Sequence, residues 1–208
     1  MTARIGIFSD VHATPGPAKE ALAIFRAEKV AMTLCAGDLA GYGDELEETV
    51  ELLKESGCEI IRGNHDAWYL DDHSGQGETP VTRFLRRLPL SREFTIEGKR
   101  IYMVHGSPGQ PLTGGIRLLD ERGVILPELR ARWRKELEEF PADVLIVSHT
   151  HQLFAEKLGH PLVINPGSTK FNHSCGILSL PDLTCEIRSL SGKTPLKSWN
   201  WEIYRRNG

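Results

Sequence analysis

The feature that most constrains this chain is a phrase it repeats: an apolar run of strand length that stops at Asp, Asn or His. Glu59-Ile-Ile-Arg-Gly-Asn-His-Asp66 states it most fully, with Asn64, His65 and Asp66 in succession after the glycine. Ile5-Gly-Ile-Phe-Ser9 leads into Asp10 and His12, and Met32-Thr-Leu-Cys-Ala-Gly37 leads into Asp38. Ile101-Tyr-Met-Val104 leads into His105, and Val144-Leu-Ile-Val-Ser148 leads into His149 and His151. Carboxyl ends of strands are where open α/β sheets hold their ligands. One such ending is an ordinary turn residue or helix cap. A set of them, carrying only Asp, Asn and His, is a costly cluster to bury unless a cation offsets it.

The chain has 208 residues, enough for one sizeable core, and we expect a single domain over 1–208. Charge is mixed, at a formal net of −3, with no basic run to follow a nucleic-acid backbone. Residues 1–4 lead straight into a strand and show no signal-peptide character. No apolar run approaches membrane-spanning length. Cys35, Cys58, Cys175 and Cys185 form no C-x-x-C pair, and Cys35 and Cys58 read as small packed hydrophobes. The expectation is a reduced, cytoplasmic protein with no membrane and no nucleic-acid partner.

In order, the pattern gives a strand over 3–9, a helix over 18–28 opened by Pro15-Gly-Pro17, and a strand over 31–36. Asp10 and His12, two apart at a strand end, project the same way. Asp44 is the expected N-cap of a helix over 45–56, which Gly57 stops. After the third strand a short helix is expected to begin at Trp68, followed by a loop over 71–79 and a helix over 80–88. A hairpin follows around Glu97-Gly98-Lys99, then a Gly- and Pro-rich loop insertion over 106–123 and a helix over 127–139. Strands over 144–147, 154–158, 162–164, 175–180 and 184–189 complete the chain, whose tail carries Trp199 and Trp201.

Asp10-x-His12, Gly37-Asp38, Gly63-Asn64-His65-Asp66, His105 and His149-x-His151, in that order, resemble the calcineurin-like metallophosphoesterase superfamily. The Gly37-to-Gly43 run and Asn165-Pro-Gly-Ser168 are similar to its small single-domain prokaryotic phosphodiesterases. The resemblance implies two metal sites: Asp10, His12 and His151 for one ion, Asn64, His105 and His149 for the other, and Asp38 bridging. It implies that His65 acts as general acid, and we set Asp66 beside it as a catalytic candidate, with its orienting role open. Nitrogen and oxygen donors without thiolate suit manganese first, with iron, zinc, nickel or cobalt as alternatives. Ser148 stands where relatives often carry Gly, and Ala13-Thr14 where many carry Gly-Asn. The loop Gly41-Tyr42-Gly43 lacks the Asp and Arg of protein serine/threonine phosphatases, which argues against phosphoprotein substrates.

The fold so implied is α/β, a two-sheet sandwich flanked by helices in four layers. Strands 1 to 3 are expected in one sheet as parallel units, and the later hairpin-like strands in the second. The expected activity is dinuclear hydrolysis by a metal-bound hydroxide of a small organic phosphate or nucleotide, as a phosphodiesterase. The alternatives are a phosphomonoesterase and a scaffold that kept the fold without the chemistry; retention of His65 and every ligand favours the enzyme. His73 and His160 read as solvated. His173 is a weaker candidate for the site mouth. Tyr42, Trp68 and Tyr69 read as core more than as substrate platform. Trp199 and Trp201 are expected to pin the tail or cover a homo-oligomer contact.

Overall fold

The computed structural model describes residues 2–199. Two five-stranded sheets face each other. The first has the order β10-β9-β1-β2-β3, where β1 is Ala3–Phe8, β2 Met32–Cys35, β3 Glu59–Ile60, β9 Ser174–Leu180 and β10 Thr184–Ser189. The second has the order β4-β5-β6-β8-β7, from β4 Ser91–Ile96, β5 Lys99–Val104, β6 Val144–Ile146, β7 Leu153–Lys157 and β8 Leu162–Pro166. The period-two alternation of each strand sorts its side chains between two layers. Ile5, Ile7, Leu34 and Ala36 face Ile101, Met103, Val144, Ile146 and Ile164 in the core between the sheets. The alternate residues Phe8 and Cys35 turn outward to α1 (Pro15–Ala27), α2 (Leu46–Glu55) and α4 (Pro80–Arg87), while α3 (Asn64–Asp72) lies beside them. On the far face, Val104, Leu145, Val147 and Val163 pack on Ile116, Leu118 and Trp133 of α5 (Pro127–Glu136).

The parallel strands expected in the first half are present: β1 pairs with β2, and β2 with β3. The second half departs from expectation. Strands β9 and β10 return to the first sheet, β9 running antiparallel to β1 with Ile5 opposite Leu178. The second sheet is itself parallel at its centre, β5-β6-β8, with antiparallel edges β4 and β7. This matters for the site. Strands β1, β2, β3, β5 and β6 deliver their carboxyl ends to one edge of the sandwich. Two local expectations also change. Asp44 does not cap α2, whose N-cap is Glu45 without a side-chain bond. Helix α3 begins at Asn64, not Trp68, so the Asn-His-Asp triplet is its first turn.

Candidate active site

Asp10 and His12 follow β1, Asp38 follows β2, Asn64 opens α3 after β3, His105 follows β5, and His149 and His151 follow β6. All the residues read from the sequence as ligands therefore meet at one sheet edge. Asp10, His12, Asp38, His149 and His151 take left-handed backbone, with φ between 49° and 66°. Such conformers cost of order 1–3 kcal/mol each and persist where surrounding structure over-determines them. Here the surroundings are a hydrogen-bonded frame. Asp10 N–H donates to Gly37 O at 2.9 Å and His12 N–H to Asp38 O at 3.0 Å, stitching the first two loops together. Ser168 Oγ donates to Asp10 O at 2.6 Å, and Asn172 Nδ2 to His151 O at 3.0 Å. Asn165 Nδ2 donates to Ser148 O at 3.2 Å, which holds the His149 loop from below.

Two groups of ligand atoms result. In the first, His12 Nε2 lies 3.1 Å from His151 Nε2, and Asp10 Oδ1 lies 3.3 Å from His151 Nε2. His12 Nδ1 sits 3.0 Å from Ala40 O, which only accepts, so the proton is on Nδ1 and Nε2 presents a lone pair. Asp10 Oδ1 is buried with no hydrogen-bond partner. In the second group, Asn64 Oδ1 is 2.9 Å from His105 Nε2 and 2.7 Å from His149 Nδ1. His105 Nδ1 is 2.7 Å from Ala36 O, which only accepts, so Nδ1 carries a proton and Nε2 is the atom that faces the centre. Ser148 Oγ donates to the same carbonyl at 2.9 Å and lies 2.7 Å from His105 Nδ1. The residue that departs from the family pattern thus braces a ligand ring, the kind of outer contact that orients metal-binding imidazoles. Asp38 stands between the groups: Oδ2 is 4.0 Å from His12 Nε2 and 3.4 Å from His105 Nε2. Asp10, His12 and His151 offer ligand atoms within 4.8 Å of one another, as do Asp10, Asp38 and His105. The His12 Nε2 lone pair beside an orphaned buried carboxylate oxygen, with the Asp38 carboxylate next to both groups, fits divalent cations.

Electrostatics agree with that fit. Burial works against charge on Asp10, yet His151, His105 and His12 hold its carboxyl below the usual range. Burial pushes His12 and His149 down to about 4, so both are neutral donors at pH 7. Burial also disfavours charge on His105, but the Asp38 carboxylate outweighs it and raises His105 to about 9. At neutral pH His105 is therefore an imidazolium paired with the Asp38 carboxylate.

His65 and Asp66 separate in role. The His65 ring is half-buried, and its nitrogen comes within 4.8 Å of ligand atoms on His12 and Asp38. Burial lowers its pKa, making its protonated form a stronger acid. Asp66 is fully buried and its oxygens are taken by backbone N–H groups: Gly63 at 2.8 Å, Asp38 at 3.1 Å, Leu39 at 2.8 Å and Ala40 at 2.9 Å. It ties the first turn of α3 to the loop that carries Asp38. That geometry corrects the catalytic reading of Asp66: its carboxylate braces backbone and does not orient His65. Burial and the Asp38 charge push it up to about 7, against the pull of those N–H groups. Close approach explains two glycines here. A Cβ on Gly63 would lie 2.0 Å from Asp38 Oδ1, and one on Gly41 2.4 Å from His65 Nδ1.

Above this floor opens a cleft of about 320 Å³. Tyr42, His65 and Trp68, in contact through His65, form one wall, and Arg117, Leu119 and Glu121 of the insertion also line the cleft. The insertion is a fixed rim. Its Ile116 and Leu118 are buried, and Gln152 accepts from Leu118 and Leu119 N–H at 2.7 and 3.0 Å. Sequence reasoning missed Arg117, which is exposed and has no ion pair among the described residues. It also took Tyr42 and Trp68 for core, whereas they are 47% and 53% exposed in the cleft. Tyr69 does pack toward the core and stacks on His73 at 4.0 Å, so His73 is half-buried rather than solvated. His173 does not line the cleft. Trp199 does, stacked on Phe171 at 4.0 Å, while Trp201 lies outside the described residues.

A probable metallophosphoesterase of Methanothermobacter thermautotrophicus is 33% identical over 165 residues, 79% of this chain and 76% of the relative. A Methanocaldococcus jannaschii protein described as uncharacterized is 28% identical over 123 residues, and the match covers only 51% of either chain. The fold resembles that of an archaeal phosphodiesterase with a TM-score of 0.60 at 20% identity, covering 90% of this chain and 99% of the other. The sequence model of the calcineurin-like phosphoesterase superfamily domain matches residues 3–179. With that span matched and its potential metal-ligand residues gathered at one sheet edge, the chain belongs to the calcineurin-like phosphoesterase superfamily, a family of metal-dependent phosphoric ester hydrolases.

Proposed function

We propose that the chain is a dinuclear metal-dependent phosphodiesterase acting on a small organic phosphate or nucleotide ester. The observation that carries this reading is Asp38 Oδ2, set between His12 of one ligand group and His105 of the other. Asp10, His12 and His151 would hold one ion, Asn64, His105 and His149 the second, and Asp38 both. Manganese is the first choice for these nitrogen and oxygen donors. Two such ions supply positive charge to the phosphoryl oxygens and bring a water's pKa to ~7.

The residues of the chain do the rest. His65, half-buried between Tyr42 and Trp68 in the aromatic wall, holds the proton that the departing alkoxide needs. The negative phosphate entering the cleft favours its protonated form. Arg117, which lines the same cleft, offers a cation for a phosphate oxygen, replacing the arginine that the Gly41-Tyr42-Gly43 loop lacks. The cleft extends past the candidate ligands to Trp68 and Arg117, so it can contact organic groups of the ester as well as its phosphate, which supports the diester reading.

The test is a hydrolysis screen of bis(p-nitrophenyl) phosphate, p-nitrophenyl phosphate and cyclic nucleotides, on protein stripped by a chelator and reloaded with Mn, Co, Ni, Zn or Fe. Stripping abolishes turnover, manganese restores it, and the diester has the higher kcat/KM. Full turnover without metal, or a preference for the monoester, contradicts the proposal.

A further inference from the structure

Exposed large apolar side chains are few among the described residues: Tyr42, Trp68, Leu90, Val124 and Leu196. Scattered singly, they would need no explanation. Two of the five, however, line the same cleft and touch the same ring. Tyr42 lies 4.5 Å from His65 and Trp68 4.7 Å from it, centroid to centroid. Trp68 is three residues beyond His65 on α3, so the helix sets both on one face. The Tyr42 ring is held in turn by His12 at 4.7 Å and Phe171 at 5.5 Å. Tyr42, His65 and Trp68 make a row of rings running outward from the ligand atoms, with 53% of Trp68 left uncovered at its outer end.

From this we infer that the aromatic wall binds the leaving arm of the substrate, and that this arm carries a flat heteroaromatic ring: the leaving alcohol is a nucleoside. The inference rests on His65 as the proton donor. A group that leaves must pass the acid that protonates it, and here the acid lies between two aromatic rings, Tyr42 tilted against it and Trp68 edge-on to it. Base–aromatic stacking is tolerant of base identity, since every base has a π-face. In the reaction the bond from phosphorus to the nucleoside 5′-oxygen breaks and an oxygen from water takes its place on phosphorus. The 5′-oxygen takes the His65 proton, and the water's proton passes to solvent. The products are the free nucleoside and a phosphate monoester.

The experiment compares two methyl phosphodiesters, one of adenosine through its 5′-oxygen and one of ribose through the same oxygen, on manganese-loaded wild type, Trp68→Ala and Trp68→Phe. Wild type prefers the adenosine ester in kcat/KM and releases adenosine. Trp68→Ala lowers that preference about tenfold, as loss of one stack does, with metal content retained, and Trp68→Phe keeps most of it. Equal kcat/KM for the two esters, an unchanged preference in Trp68→Ala, or release of adenosine monophosphate in place of adenosine overturns the assignment. If wild type cleaves neither ester, the catalytic reading fails, and calorimetry with adenosine monophosphate and ribose 5-phosphate decides the wall. Tighter adenosine monophosphate binding that Trp68→Ala removes supports a nucleoside site; equal affinities overturn it.

Discussion

The floor of the site and its rim are built on opposite plans. The floor is buried, polar and held by short backbone bonds: Asp10, His12, Asp38, Asn64 and His105 are at most 2% exposed. Its left-handed loops are held by Ser168, Asn172 and the bonds between the first two loops, and Asn165 supports the loop that carries His149. The rim is open and partly apolar, with Trp68 and Tyr42 half-exposed and Arg117 exposed beside the same cleft. The floor concentrates charge and fixes geometry, so a change there acts on every substrate. The rim touches only what extends beyond the phosphate, so a change there acts on choice. Mutations sort along this division.

The largest effect is expected at the floor's centre. Asp38→Asn removes the charge that lets two cations sit close together, and like charges ~4 Å apart repel strongly in a partly buried site. Turnover disappears on all esters, with loss of metal from both groups measured by elemental analysis. Retained activity with one ion would mean that the groups work separately.

His65 stands at the border of the two regions. His65→Ala leaves metal content near wild type, since Asn64, His105, His149 and Asp38 remain, and turnover falls by roughly 10²–10⁴-fold. Alkyl esters suffer more than nitrophenyl esters, because a nitrophenolate leaves without a proton. An equal loss on both would make His65 a phosphate-binding group, and a parallel loss of metal would make it a ligand.

The pH dependence of metal uptake separates floor ligands from each other. In the metal-free protein His105 has its pKa raised to about 9, so at pH 7 its Nε2 carries a proton that a metal must displace. His12 and His149, at about 4, are already bare. Uptake at neutral pH therefore releases a proton, and apparent affinity rises with pH, by about tenfold per unit, until it levels off above about 9. Calorimetry in buffers of different ionisation enthalpy measures the proton count. Uptake with no proton released would remove His105 from the ligand set.

The smallest effect belongs to the rim. Arg117→Ala raises KM several-fold, on the order of one exposed charge-assisted contact, with kcat and metal content near wild type. A fall in kcat without a change in KM would place Arg117 nearer the reacting atoms.

The same division explains what the sequence revealed. Floor residues announce themselves because an apolar run that stops at Asp or His is a local signal, and the parallel strands align those stops. The role of Asp66 was hidden by adjacency: next to His65 in sequence, it turns its carboxylate to the Asp38 loop, and only the fold brings those together. The start of α3 was hidden because its N-cap Gly63 and its first residues Asn64 and Asp66 are of turn-forming types. The pairing of β9 with β1 joins segments at opposite ends of the chain, beyond any periodicity. The rim is non-local throughout. Glycines and prolines over 106–123 read as loose, whereas Ile116, Leu118 and the distant Gln152 pin that segment down.

The central claim is that one carboxylate, Asp38, joins two ligand groups into a single dinuclear centre. Electron paramagnetic resonance of the stripped protein, titrated with manganese, tests it directly. The account predicts about two ions per chain and, at saturation, the spectrum of an exchange-coupled pair ~3.5–4 Å apart. Saturation at one ion per chain, or two ions giving only the six-line signal of isolated manganese, would contradict it.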